Sequence, residues 1–276
     1  SALEIGRFRR LVNEKFEKKR KKEEVLDFIK EHAYCNDEIA DGIYEYCWHQ
    51  YRFSKIPHDQ RIIVEEYKAE RKYFVFHTLF GRRVNDALSR AFALAAAYTG
   101  GRDVEVGISD NGFFIVGDKI NIQKCLELVN SKSLDALLKE SIEKSEILKR
   151  RFRHCAARGL MILRIYKGES RSVGRQQMKS GFILAAIRKI SDEFPILKEA
   201  RREVLEDVMD VNSARQVLKW VEQGKIKIEL QRTELPSPFA TNLILQGYSD
   251  LIKIEDKIAF LKRMYNEIKK RIGEGD

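Results

Sequence analysis

The chain has 276 residues, 34% of them charged, with 52 Lys/Arg against 42 Asp/Glu and a formal net charge of +10. That length supports a substantial buried core in one large domain or two small ones. Four scattered cysteines without C-x-x-C spacing exclude a disulfide framework and a cysteine zinc site, and no apolar run reaches the roughly 20 residues of a membrane span, so no membrane partner and a cytoplasmic location are expected.

Residues 1–58 read as an N-terminal helical segment. Phe8, Leu11, Val12 and Phe16 form one apolar stripe, and Val25, Phe28 and Ile29 a second. "CNDEIADGIYEYCWHQY" is a third helix candidate with Asp37 near its start, and Pro57 closes the stretch.

Residues 59–118 read as a hairpin–helix–hairpin core. β-Branched and aromatic runs at Ile62–Tyr67 and Tyr73–Leu79 flank a charged turn, giving a first hairpin over about 60–79. A helix starts near Gly81 and stops at Gly100-Gly101, with Val84, Leu88, Ala91, Phe92 and Ala95 as its buried face. "VEVGISDNGFFIV" gives a second hairpin over about 103–117, turning at Asp110-Asn111-Gly112 because Asn and Gly tolerate positive φ.

Residues 119–224 read as helical with few breaks. Residues 225–276 read as a strand ("KIKIELQR"), a loop and an amphipathic helix packing back, with Ile254, Ile258, Leu261, Tyr265, Ile268 and Ile272 on its stripe. The expected fold class is α+β, predominantly helical, with a small antiparallel sheet built from two hairpins and one later strand.

The positive charge is concentrated. Residues 7–22 hold nine Lys/Arg against two Glu, and residues 149–179 hold ten against one. A basic stripe is first a footprint for nucleic acid, then for an acidic partner. Catalytic motifs are absent: there is no G-x-x-x-x-G-K-[ST] loop, no H-E-x-x-H and no serine elbow, and the five histidines lack metal spacing. No catalytic or metal-binding residue is expected.

Two arginines, Arg82 and Arg83, sit where a helix N-terminus disfavours cations. Arg82, Asp86 and Arg90 fall at i,i+4 spacing, so one carboxylate serves three arginines and an anion clamp is one reading, a solvated face the other. In "KRRFRHCAARGLM", Leu148, Phe152, Cys155, Ala156 and Leu160 point inward, while Arg151, His154 and Arg158 share another face. In "SRSVGRQQMKSG", Ser172 is an N-cap candidate beside Arg171, Arg175, Gln176 and Lys179. Guanidinium groups, amides and helix-start N–H groups are the usual set for gripping phosphate. The candidate nucleic-acid-binding residues are therefore Arg82, Arg83, Arg90, Arg151, His154, Arg158, Arg171, Arg175, Gln176 and Lys179. Tyr98, Tyr166, Tyr248, Trp48 and Trp220 are available for base stacking, with Trp220 better placed for the core.

Six pieces in register, "EIGRFRR", "FHTLFGRRVNDALSRAFA", "VGISDNGFFI", "RFRHCAARGLMILRIYKG", "VGRQQ" and "PSPFATNLILQGYSD", resemble the C-terminal, DEAD/H-associated portion of archaeal large helicase-related (Lhr-type) superfamily 2 helicases. The resemblance implies an accessory domain of an ATP-dependent 3′–5′ DNA helicase, guiding the single strand and bracing the motor lobes. It implies partners in single-stranded DNA or a DNA–RNA hybrid, and in the motor and winged-helix domains. ATP and Mg²⁺ would bind those motor lobes, leaving this chain without a cofactor and without ATPase activity of its own; Ser1-Ala2 then reads as an artificial start. Two other readings stand beside it: a base-acting DNA repair enzyme of glycosylase type, and a protein-interaction scaffold.

Overall fold

In the computed structural model the described residues are 2–68, 71–163, 165–166, 169–170, 172–247 and 254–273. Three helices open the chain: α1 (Ala2–Glu17), α2 (Lys22–Ala33) and α3 (Asp37–Phe53). Asn36 caps α3 by accepting from Ile39 N at 3.0 Å, one residue earlier than the acidic start the sequence suggested. The apolar stripes of these helices meet: Val12, Phe16, Val25, Ile29 and Tyr44 form one cluster, closed by Phe239 from far along the chain.

β1 (Arg61–Lys68) and β2 (Lys72–His77) form the first hairpin, and β3 (Arg102–Ser109) and β4 (Gly112–Asp118) the second. Between them runs α4 (Arg82–Tyr98). The second turn takes Asp110 and Asn111, and the positive φ falls on Gly112, at 155°. A Cβ there would stand 2.2 Å from Phe76 O, so only glycine fits against the neighbouring strand.

The hairpins join through β2 and β4, and a later strand, β7 (Lys227–Thr233), completes a five-stranded sheet ordered β3-β4-β2-β1-β7. The first three contacts in that order are antiparallel; β7 runs parallel to β1, so the sheet is mixed rather than wholly antiparallel. Parallel pairing follows from the long helical crossover that precedes β7.

Side chains alternate across the sheet. Phe74, Phe76, Phe113 and Ile115 face α4 and its buried row Val84, Leu88, Ala91, Phe92 and Ala95. Tyr73, Val75, Phe114 and Val116 face the other way, against Ala240, Leu243 and Ile244 of α11 (Pro238–Gly247). Helices on both faces explain why β2 and β4 read as nearly continuous apolar runs.

The crossover comprises α5 (Ile122–Leu128), α6 (Leu134–Glu143), α7 (Glu146–Arg158), a short ribbon β5 (Ile165–Tyr166) and β6 (Glu169–Ser170), α8 (Val173–Ile190), α9 (Pro195–Arg202) and α10 (Val211–Glu222). The ribbon falls in a stretch that the sequence reads as helical with few breaks. After α9 the chain widens into a π-helical turn, Glu203–Val208, closed by Met209 N donating to Val204 O at 3.0 Å. Leu160, expected inward, is 75% exposed because α7 has already ended and Leu160 sits at φ 58°. α12 (Ile254–Ile272) ends the described chain; Ile268 and Ile272 are buried as expected, whereas Tyr265 is half exposed. No helix among the described residues is long and apolar enough to cross a membrane.

Candidate nucleic-acid interface

The start of α4 carries no acid in its first turn. Its two arginines answer acceptors elsewhere in the fold. Arg83 Nη2 donates to Glu206 O at 2.5 Å and Met209 O at 3.1 Å, at the carboxyl end of the π-helical turn. Glu206 lies in the last turn of that helix and Met209 is its C-cap, the end where carbonyls lack intrahelical donors and the dipole is negative. Asp210 N returns a bond to Arg83 O at 3.3 Å, so the two chain segments are locked both ways. Arg82 Nη1 donates to Ile108 O at 3.0 Å on edge strand β3. Asp86 is not shared among three arginines: its Oδ1 takes Arg90 Nε at 2.7 Å.

α7 presents two basic faces. Arg151 and Arg158, seven residues apart, turn toward the π-helical turn, where Glu203 is buried. Arg158 Nη2 pairs with Glu203 Oε1 and also reaches Cys155 Sγ at 3.3 Å, and Arg151 Nη1 approaches Glu203 Oε2 at 3.7 Å. The pairing with Glu203 raises the guanidinium pKa of Arg158. So the two blocks expected to cradle a common anion do converge, on opposite ends of Glu203–Met209. They meet the chain itself there, as structural contacts.

The opposite face of α7 is different. Glu146, Lys149, Arg150 and Arg153 recur at i, i+3, i+4 and i+7, and together with Gln177, Ser180 and Gly181 of α8 they line a groove of about 500 Å³. Lys149 is held by Glu146 at 2.6 Å. No carboxylate pairs with Arg150 or Arg153 among the described residues. The candidates drawn from the sequence do not include Arg150, Arg153 or Ser180. The signal for the two arginines lies in the same "KRRFRH" run: a second basic row at helical spacing, offset from the first by one residue.

Of the remaining sequence candidates, Arg175 and Lys179 are exposed on α8 and no described carboxylate pairs with either. Gln176 is half-buried and His154 exposed, and Arg171 lies outside the described residues. Ser172 stands at the N-cap position without a side-chain hydrogen bond. Trp220 is partly buried against the main core, and Trp48 packs with Phe16, Tyr44 and Tyr51 in the N-terminal cluster. Tyr98 is exposed; the side chain of Tyr166 and the whole of Tyr248 lie outside the described residues.

The first basic block is answered within the chain only in part, since Arg7, Lys18, Lys19 and Lys21 pair with no described carboxylate. Arg10 bonds Asp59 at 2.9 Å and Glu14 at 3.1 Å, and Lys22 reaches Glu45 at 3.0 Å and Asp41 at 3.3 Å. Lys15 stands 4.5 Å over the Phe28 ring.

Comparison with known proteins agrees with this architecture. Residues 56–240 match the DEAD/H associated family model. The chain is 45% identical over 270 residues to the ATP-dependent helicase Lhr-Core of Methanothermobacter thermautotrophicus, covering 97% of this chain and 31% of that protein. It is 29% identical over 178 residues to the Lhr helicase/uracil glycosylase of Escherichia coli, covering 63% of this chain and 11% of that protein. The fold resembles part of Mycobacterium smegmatis helicase Lhr, solved bound to ssDNA and AMP-PNP, with a TM-score of 0.69 at 24% identity over 79% of this chain and 29% of that one. The chain thus spans about a third of the archaeal relative it matches over most of its own length.

Proposed function

Because the chain belongs to the DEAD/H-associated family, we propose that it is the accessory nucleic-acid-binding portion of an Lhr-type helicase, holding the single strand and bracing the motor. The observation that carries this is the α7–α8 groove. Two guanidinium groups there, Arg150 and Arg153, face open space with no described carboxylate to neutralise them, beside the amide of Gln177 and the hydroxyl of Ser180. Such a groove attracts a polyanion and tracks its backbone without reading bases. Single-stranded DNA is the partner this reading favours, with the rest of the helicase as the second. On this reading ATP hydrolysis belongs to the motor lobes of the helicase. A base-acting role would need a carboxylate in a pocket able to enclose an extruded base. The groove's own acid, Glu146, is 86% exposed and tied to Lys149, so strand binding is the better-supported reading.

The test is fluorescence anisotropy of the 276-residue chain with a labelled single-stranded oligonucleotide, measured across salt. Binding should weaken steeply as salt rises. The double substitution Arg150→Glu/Arg153→Glu should cost at least about tenfold at low salt and flatten the log–log slope by roughly 1.4, about 0.7 for each phosphate that is no longer neutralised. Unchanged affinity and slope in that variant would refute the assignment of the groove.

A further inference from the structure

α8 is an 18-residue helix that buries only Ser180, Leu184 and Ile187. Its outward face is neither the polar face of a solvated helix nor the covered face of a core helix. Arg175, Met178, Lys179 and Phe182 lie there at i, i+3, i+4 and i+7, along roughly 10 Å of helix. Phe182 is 76% exposed and Met178 65%. Phe182 makes no ring contact among the described residues, and no described carboxylate pairs with Arg175 or Lys179. The helix contains four basic residues and no acid. Leaving a phenylalanine in water forgoes the stabilisation of burying it, which favours a partner that covers it.

The composition of the face selects between partners. The fully buried centre of a protein interface is depleted in charge, lysine above all. Here Lys179 stands between Met178 and Phe182. Surfaces that hold single strands have the opposite character, an aromatic plane for a base set among cations for the flanking phosphates. We infer that the outward face of α8 is a base-stacking platform on which Phe182 takes one unpaired base while Arg175 and Lys179 hold the adjoining phosphates. This rests on the strand-binding reading of the neighbouring groove and adds to it the contact that tells single strands from duplex, since bases in a duplex are already stacked on one another.

The experiment compares an oligothymidylate with an abasic strand of the same length, using the intact chain. Phe182→Ala should bind oligothymidylate roughly five- to 150-fold more weakly. It should bind the abasic strand as the parent chain does and keep the parent's salt slope, while Phe182→Trp retains the affinity for bases. Arg175→Gln/Lys179→Gln should instead lower the slope on both strands. The platform is overturned if Phe182→Ala binds oligothymidylate as well as the parent while Arg150→Glu/Arg153→Glu loses binding; the groove would then stand alone. It is also overturned if Phe182→Ala weakens both strands equally. It is equally overturned if Phe182→Ala spares strand binding but breaks association with the remaining portion of an Lhr-type helicase supplied separately, which would make the face a protein contact. A parent chain that binds neither strand overturns groove and platform together.

Discussion

Arg158 pairs with Glu203 across 45 residues of chain, and Arg151 approaches the other oxygen of the same carboxylate at 3.7 Å. Glu203 is 4% exposed, so its charge is held in the fold only because these guanidinium groups face it. Glu203→Gln should therefore destabilise the chain by about 1–3 kcal/mol, less than a fully buried pair because Arg158 remains largely in water. Removing the acid also raises the positive potential along α7. Strand affinity should rise at low salt, and the gain should vanish as salt screens it. Urea denaturation and anisotropy check the two halves. A variant that loses strand affinity at low salt would contradict this account.

Arg83 separates structure from binding at a single position. Its bonds to the Glu206 and Met209 carbonyls tie α4 to the π-helical turn. Arg83→Ala should cost about 1–2 kcal/mol in stability. It should leave strand affinity nearly unchanged, the reverse of the outcome expected for Arg150→Glu/Arg153→Glu. A large loss of affinity with an unshifted urea midpoint would return Arg83 to the binding surface.

Asn85 is fully buried and ties the start of α4 to the ends of both hairpins. Its Nδ2 donates to Thr78 O at 3.0 Å, Ser109 O at 2.9 Å and Asp110 O at 3.1 Å, and its Oδ1 accepts from Thr78 Oγ1 at 2.9 Å. Asn85→Ala should cost about 2–4 kcal/mol by orphaning these groups. That corresponds to a melting temperature lower by roughly 5–15 °C for a chain of this size. A melting curve superimposable on the parent's would show that water replaces the amide.

Asp192 supplies a pH dependence. Hydrogen bonds from Lys139 and Arg201, each at 2.7 Å, hold its carboxyl down to about 2, below the ordinary 3.8. A depressed folded-state value contributes stability that is fully present above the unfolded pKa and is lost as pH falls through the folded one. The contribution of Asp192 should thus fade between about pH 4 and 2, and Asp192→Asn should flatten the stability curve in that window while leaving its shape above pH 5 unchanged. Urea midpoints at stepped pH measure it; identical acid limbs for parent and variant would contradict the assignment.

Much of the fold was legible because it rests on local rules. Alternation along β2 and β4, the Asp110-Asn111-Gly112 turn and the 3.6-residue stripe of α4 each follow from the geometry of neighbouring residues, and the hairpin–helix–hairpin unit stands where those signals put it. The parallel partnership of β7 with β1 was not, since Ile228 and Leu230 read the same whichever strand lies beside them. The candidate binding face was legible only as a region. Arg151 and Arg158 look as available in the sequence as Arg150 and Arg153 do, one residue apart on the same helix. A rotation of 100° per residue sends one pair to Glu203 and the other to an open groove.

The amino-acid order alone thus determined where the positive charge concentrates, where the two hairpins and α4 form, and the kinship carried by six motifs in register. Tertiary packing decided which of those charges remain for a ligand. A cation is neutralised by whatever lies within a few ångströms in space, and Glu203, Glu206 and Met209 reach Arg158 and Arg83 only after the crossover has folded back against the sheet.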